Sequence, residues 1–152
     1  GYDGRLDLGN IMRGDGKRYL GRDLIQVTGR ANYRALTLWA RETVHGAPDF
    51  EATPELLETD EWVGIGAAWY LSTRTGLLDY ARAGNIEMVT RRVNGGLNGY
   101  TDRLRWYDRA ALVMLGYARD DVLGFQRTTN LKQDGISGPA TRGALHAALG
   151  RL

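Results

Sequence analysis

The sequence contains no cysteine, which removes disulfides and thiolate metal sites and leaves packing and polar pairing to hold the chain. It has three prolines, two phenylalanines and two histidines. His45 and His146 each stand without a ligand pair or a Ser or Cys context, so neither metal binding nor triad chemistry is indicated. No metal and no cofactor are expected. No apolar run approaches the ~20 residues that cross a bilayer, and no basic, apolar, small-residue signal peptide opens the chain, so membrane insertion is not expected. Charge of one sign is equally scarce: 20 Lys and Arg face 18 Asp and Glu, a net of +2 with a pI near 9.1. Without a basic stripe, a nucleic-acid partner is not expected. The slight positive bias suits approach to an anionic bacterial envelope.

What remains is an ordinary globular composition, 43% apolar and 25% charged over 152 residues, enough for one compact domain with a core and a small appended unit. Residues 1–30 are glycine-rich with little helical periodicity and read as loops, with one short extended segment at Leu24–Thr28. Tyr33, Leu36, Ala40 and Val44 then recur at helical spacing up to Gly46 and Pro48. Thr53-Pro54-Glu55 reads as a helix start, Asp60 as the cap of a second segment, and Trp62, Ile65 and Trp69 as one face of a central helix. Another helix is expected over Asn85–Val93, ended by Asn94-Gly95-Gly96-Leu97-Asn98-Gly99. Thr101 reads as the cap of a helix bearing Leu104, Tyr107, Ala111, Met114 and Leu115. From Asp120 the rhythm changes to a short helix with Val122 and Phe125, a turn at Asp134-Gly135 and a last helix with Leu145 and Leu149. The expected organisation is a main domain over 1–118 and a small helical unit over 119–152.

Glycosidic cleavage usually needs two carboxyl groups flanking the bond. The densest acidic group, Glu51, Glu55, Glu58, Asp60 and Glu61, surrounds a helix start, where carboxylates favour the helix dipole and stay solvated. Gly14-Asp15-Gly16-Lys17 lacks the full spacing and the Ser or Thr of a phosphate loop. Tyr19–Tyr33 is more informative, because amide and hydroxyl groups alternate with apolar ones just before a helix. In an extended segment Gln26 and Thr28 would share one face, with Ile25 and Val27 opposite. Such groups both donate and accept, which suits sugar hydroxyls and N-acetyl groups. On these residues alone, a plain loop entering a helix accounts for the segment equally well, and Asn94–Gly99 reads either as a helix-to-helix turn or as the lining of a polar cleft.

Several ordered segments together carry a resemblance: Tyr2-Asp3-Gly4-Arg5, Asp7-Leu8-Gly9-Asn10, Gly14-Asp15-Gly16, Tyr19–Tyr33, Pro54-Glu55-Leu56-Leu57, Ala67-Ala68-Trp69, and Thr90–Gly99 followed by Arg103. Over residues 1–116 the chain resembles glycoside hydrolase family 19, in its bacterial and phage lysozyme or endolysin branch. The resemblance implies a mainly α, lysozyme-like helical lobe with glycine-rich cleft loops. It also implies an inverting acid-base cleavage of β-1,4 bonds between amino sugars. Thr28 falls where the family positions the attacking water. Gln26, Asn32, Asn94 and Arg103 fall where it contacts sugar or supports catalytic groups. The family's two catalytic glutamates, one in a His-Glu-Ser/Thr-Gly-Gly helix and one shortly before the segment matching Tyr2, have no counterpart here. The chain by itself is therefore expected to be inactive, its acid and base coming from a missing N-terminal catalytic segment. Asp23 also departs from the family, which usually has Gly there; a pairing with Arg22 or a perturbed loop is expected.

The tail, Val122–Gln126, Asn130-Leu131, Asp134-Gly135-Ile136, Gly138-Pro139, Thr141 and Leu145, is similar to a helical peptidoglycan-binding module. The expected partner is peptidoglycan, with chitin-type polysaccharide as the alternative, and the expected place of action is the bacterial cell wall. A catalytically incomplete wall-binding or structural lobe is the rival reading.

Overall fold

The chain builds two compact units, Gly1–Thr75 and Gly76–Leu152; the computed structural model describes residues 2–73 and 76–152. The described residues are mainly helical and contain no strand, in agreement with the expected fold class. The boundary read from the sequence at 118/119 falls inside the second unit.

The first unit contains α1 (Asp15–Arg18), α2 (Arg30–Thr43) and α3 (Ile65–Thr73), with 3-10 turns at Leu6–Leu8 and Pro54–Glu58. α2 forms where the periodicity places it and buries Tyr33, Leu36 and Ala40 on one face. These residues join Tyr19, Val27, Phe50, Leu57 and Trp69 in one core. Pro54 does start a helical turn, but it is 3-10 and serves to bury Leu57. Trp62 and Ile65 pack on that core as well. α3 begins only at Ile65, however, and its cap is not Asp60.

The first thirty residues were expected to be loops and are ordered by polar pins that periodicity does not reveal. Buried Asn10 donates from Nδ2 to the Tyr2 carbonyl at 2.9 Å and accepts from the Arg30 amide at 2.9 Å. The Asp15 carboxylate, also buried, accepts from the Met12 amide at 3.0 Å and takes Arg30 bidentately at 2.6 and 3.0 Å. The glycine-rich segment is thereby fixed to the first turn of α2. Its hydrogen bond to Arg30 is the main reason that the Asp15 carboxyl lies below its ordinary pKa. Because the folded pKa is depressed, this pair stabilises the fold above the unfolded carboxyl's pKa of ~3.9 and the contribution is lost as pH falls through the folded value. Thermal melts between pH 5 and 2 should therefore show a fall in midpoint that is smaller in Asp15→Asn; equal slopes in the two proteins would contradict this role.

The second unit contains α4 (Leu77–Arg82), α5 (Ile86–Asn94), α6 (Tyr100–Met114), α7 (Val122–Thr128) and α8 (Pro139–Leu149). Asn85 caps α5 by accepting from the Met88 amide at 3.0 Å, and Asp121 caps α7 through the Gly124 amide at 2.8 Å. Thr101 is not the cap of α6. The cap lies two residues earlier, at Gly99, whose φ of +71° is a left-handed conformation favouring glycine. Ala111 and Leu112 of α6, Phe125 of α7 and Leu145 of α8 form one core, so the tail helices share their apolar interior with α6. Ile136, between α7 and α8, is 66% exposed and lies outside that core.

Two polar side chains, Gln126 buried and His146 half-buried, tie this unit together. Gln126 donates from Nε2 toward Asp134 Oδ1, the Ile136 carbonyl and Thr141 Oγ1 at 3.1–3.2 Å, and accepts the Gly135 amide at 2.8 Å. The expected Asp134-Gly135 turn is held by that amide. His146 lies between the Tyr107 hydroxyl (3.0 Å from Nδ1) and the Arg82 carbonyl (2.7 Å from Nε2). A carbonyl only accepts, so Nε2 carries the proton and, in the neutral ring, Nδ1 accepts from Tyr107. The ring packs against Gly84, where a Cβ would come within 2.8 Å of it. This is a packing role for His146, and His45 is exposed.

Candidate functional site

Gln26, Thr28 and Asn32 come together in the first unit, although not as an extended segment. Residues 23–26 form a turn closed by the Arg22 and Val27 backbones, with Arg22 N donating to Val27 O at 3.2 Å and Val27 N to Arg22 O at 2.8 Å. Asp23 and Gln26 have φ of +64° and +59°, a left-handed conformation unusual for residues with a Cβ. These two residues break the alternation that an extended chain would have. The expected sharing of a face is nevertheless reached by folding: a Cβ at Gly21 would sit 2.6 Å from Gln26 Oε1 and 3.0 Å from Thr28 Oγ1. Both polar side chains therefore lie over the space that glycine leaves open, while Val27 is buried and Ile25 packs on the core.

The bonding of each group decides what it offers to a ligand. Thr28 Oγ1 donates its proton to the Gln26 carbonyl at 2.7 Å, leaving the hydroxyl oxygen as an acceptor toward a water or a sugar hydroxyl. Asn32 Nδ2 donates to the Thr28 carbonyl at 2.7 Å, so its Oδ1 is a second acceptor in the same region. Gln26 is exposed.

Below this turn lies a cationic junction. Arg22, buried, donates to the Arg18 carbonyl at 2.8 Å and to the Tyr33 hydroxyl at 3.2 Å, while Tyr33 donates to the Leu20 carbonyl at 2.8 Å. Glu55 and Glu58 stand 3.7 and 3.4 Å from the same guanidinium and are solvent-exposed. Burial raises the pKa of the Tyr33 phenol, keeping it a proton donor across the physiological range. Glu51 binds Arg34 bidentately at 2.8 Å, and that hydrogen bond is the main reason its carboxyl lies below the ordinary value. Glu51, Glu55 and Glu58 are thus paired with arginines as well as solvated, a signal absent from their spacing. Arg22 itself is a site-supporting residue that sequence reasoning did not select; of the two expectations at Asp23, a pairing with Arg22 or a perturbed loop, the structure has the second, and gives Arg22 Tyr33 and the two glutamates as partners.

Asn94 and Arg103 lie on the second unit. Asn94 ends α5 and donates across the glycine-rich loop to the Asn98 carbonyl at 2.6 Å, holding the loop closed between Gly95 and Gly99. Arg103 sits in the first turns of α6, and its Nη1 is buried with no hydrogen-bond partner among the described residues. No group of three or more His, Cys, Asp or Glu able to hold a metal is found among the described residues, and none of their helices is long and apolar enough to cross a membrane.

A helical scaffold that presents amide and hydroxyl groups over a glycine defines a polar surface suited to hydroxyl-rich ligands. The chain is similar, at 36% identity over 113 residues, to a glycosyl hydrolase family 19 domain-containing protein of Haemophilus influenzae. The match covers 74% of this chain, and the chain spans 50% of that protein's length. No family model matches the chain. No solved structure matches it. The relative supports a relationship to glycoside hydrolases at that coarse level.

Proposed function

We propose that this chain is part of a cell-wall glycoside hydrolase of the lysozyme or endolysin type, cleaving β-1,4 bonds between amino sugars of peptidoglycan by an inverting acid-base mechanism. The observation that carries the reading is the convergence of Gln26 and Thr28 over Gly21, on a chain related to a glycosyl hydrolase family 19 domain-containing protein. In this reading Thr28 orients the attacking water through its free lone pairs, Gln26 and Asn32 bind sugar hydroxyl and N-acetyl groups, and Asn94 and Arg103 contact sugar or support catalytic groups. The acid and base glutamates come from outside these 152 residues, and the protein acts at the bacterial wall.

The test is retention on purified peptidoglycan and on chitin, with wall lysis measured alongside. The chain alone should be retained without turnover. Gln26→Ala and Asn32→Ala should each weaken retention, by roughly 5–30-fold for a loss of one or two kcal/mol. Turnover that disappears on Glu55→Gln or Glu61→Gln would show that the catalytic pair lies within this chain, and unchanged retention would remove the sugar-contact roles.

The rival, a wall-binding lobe without catalysis, is favoured by a groove of about 320 Å³ in the second unit, lined in part by Arg105, Arg109, Arg119 and Arg142 and bordering the Asp134–Thr141 turn at Ser137. If that groove anchors the wall, Arg105→Ala and Arg119→Ala should weaken sedimentation with peptidoglycan while leaving the melting temperature nearly unchanged. Both arginines are more than half exposed and pair only at the surface, where such pairs contribute ~0–1 kcal/mol.

A further inference from the structure

We propose that Asp23 is a positioning residue that fastens the turn bearing Gln26 and Thr28 to the first turn of α3. This rests on the reading of Gln26 and Thr28 as sugar contacts, but the fastening itself stands on geometry alone. The Asp23 carboxylate accepts from the Leu24 amide at 2.6 Å, and then reaches 41 residues along the chain to accept from the Gly64 amide at 2.6 Å. Its second oxygen accepts from the Ala67 amide at 3.1 Å. These last two donors belong to the start of α3, where amides lack intrahelical partners and the helix dipole favours negative charge. Asp23 is thus the cap of α3, supplied by a distant turn and not by the residues that precede the helix.

The fit is built on both sides. A Cβ at Gly66 would stand 2.5 Å from Asp23 Oδ2 and 2.7 Å from Val27 Cγ2, so the absent side chain is what lets the carboxylate and the end of the turn seat on the helix. The turn also needs an outside restraint. Asp23 and Gln26 both hold positive φ, and such conformations in residues with a Cβ persist where the surroundings over-determine them. Asp23 fixes the first of these residues, and through the Asp23 carbonyl, which accepts the Gln26 amide at 3.1 Å, it bears on the second. The direction in which Gln26 and Thr28 point is therefore set by α3.

The test uses Asp23→Asn, Asp23→Gly and Asp23→Ala in the whole chain, read by amide hydrogen exchange and NMR chemical shifts. Asparagine tolerates positive φ and keeps one acceptor; glycine relieves the backbone but removes the carboxylate; alanine loses both advantages. Exchange at Gly64 and Ala67 should rise by roughly 5–30-fold in Asp23→Gly, as expected for one or two kcal/mol of lost capping, with Asp23→Asn intermediate. The Gln26 side-chain amide and Thr28 signals should shift in parallel while Leu36 and Phe50 stay unchanged. If Asp23→Ala does not fold, the other two substitutions decide the matter. Faster exchange at Gly64 and Ala67 with Gln26 and Thr28 unmoved would reduce Asp23 to a helix cap and overturn the proposal. A second arm titrates tri-N-acetylchitotriose. Asp23→Gly should raise its Kd several-fold, and the effect should vanish in a Gln26→Ala, Thr28→Ala background, because positioning acts through those side chains. Fully additive losses would overturn it. If the unsubstituted chain does not bind the probe, the sugar-contact reading falls, and exchange and shifts alone decide the role of Asp23.

Discussion

Leu145→Ala is expected to lower the stability of the protein by about 2–5 kcal/mol, and Phe125→Ala by about 3–5 kcal/mol, in urea unfolding followed by circular dichroism. Both side chains are almost fully enclosed, at 0% and 2% exposure, within the core formed with Ala111 and Leu112 of α6. Truncation removes apolar contacts and leaves a cavity bordered by three helices, which have limited freedom to collapse into it. Ile136→Ala, at a site 66% exposed, should stay within about 0.5 kcal/mol of the unsubstituted protein. Equal effects at Leu145 and Ile136 would mean that the tail helices are not docked as described. The shared core also changes how wall binding is to be tested. Deleting residues 120–152 would uncover Ala111 and Leu112, so lost retention could reflect an unfolded α6 as readily as a lost anchor. Surface substitutions such as Arg105→Ala and Arg119→Ala avoid that ambiguity.

The parts of this fold that repeat with a period were legible from residue order. α2, α5 and α6 lie within a residue or two of where their apolar spacing puts them, and α8 carries Leu145 and Leu149 as expected. What was not legible is what depends on partners distant along the chain. Asp60 has the right residue type and position for a local cap, yet the start of α3 is satisfied by Asp23, and nothing in a linear pattern announces a carboxylate arriving from 41 residues away. The Leu24–Thr28 segment alternates like a strand, but alternation carries no information about φ, and positive values at Asp23 and Gln26 turn it back on itself. For the candidate site, residue type was informative and geometry was not. Gln26, Thr28 and Asn32 were chosen for their donors and acceptors, and the structure adds which of those are already committed. The supporting role of Arg22 was not legible because it comes from burial, which a polar residue does not advertise.

Tyr33→Ala should cost about 3–5 kcal/mol, and Tyr33→Phe separates the two causes. The ring is fully buried, packs 5.3 Å from the Tyr19 ring, and fills the core beneath the turn; phenylalanine keeps that volume. Its hydroxyl donates to the Leu20 carbonyl and accepts from Arg22 Nη1, and Leu20 and Arg22 lie on either side of Gly21, over which Gln26 and Thr28 converge. Removing the hydroxyl leaves the carbonyl and the guanidinium each short of a partner, an expected loss of about 1–3 kcal/mol. Asn32→Ala, by contrast, breaks a bond to the Thr28 carbonyl from a partly exposed side chain, and its effect should fall mainly on ligand retention. If the hydroxyl only serves stability, Tyr33→Phe will lower the unfolding midpoint and leave retention on peptidoglycan unchanged at temperatures where the protein is folded. If it also holds the floor of the polar face, retention will fall under those same conditions and the Gln26 side-chain amide signals will shift. An unfolding midpoint unchanged by Tyr33→Phe would mean that Arg22 and Leu20 find other partners, and the junction would lose its place in the account of this site.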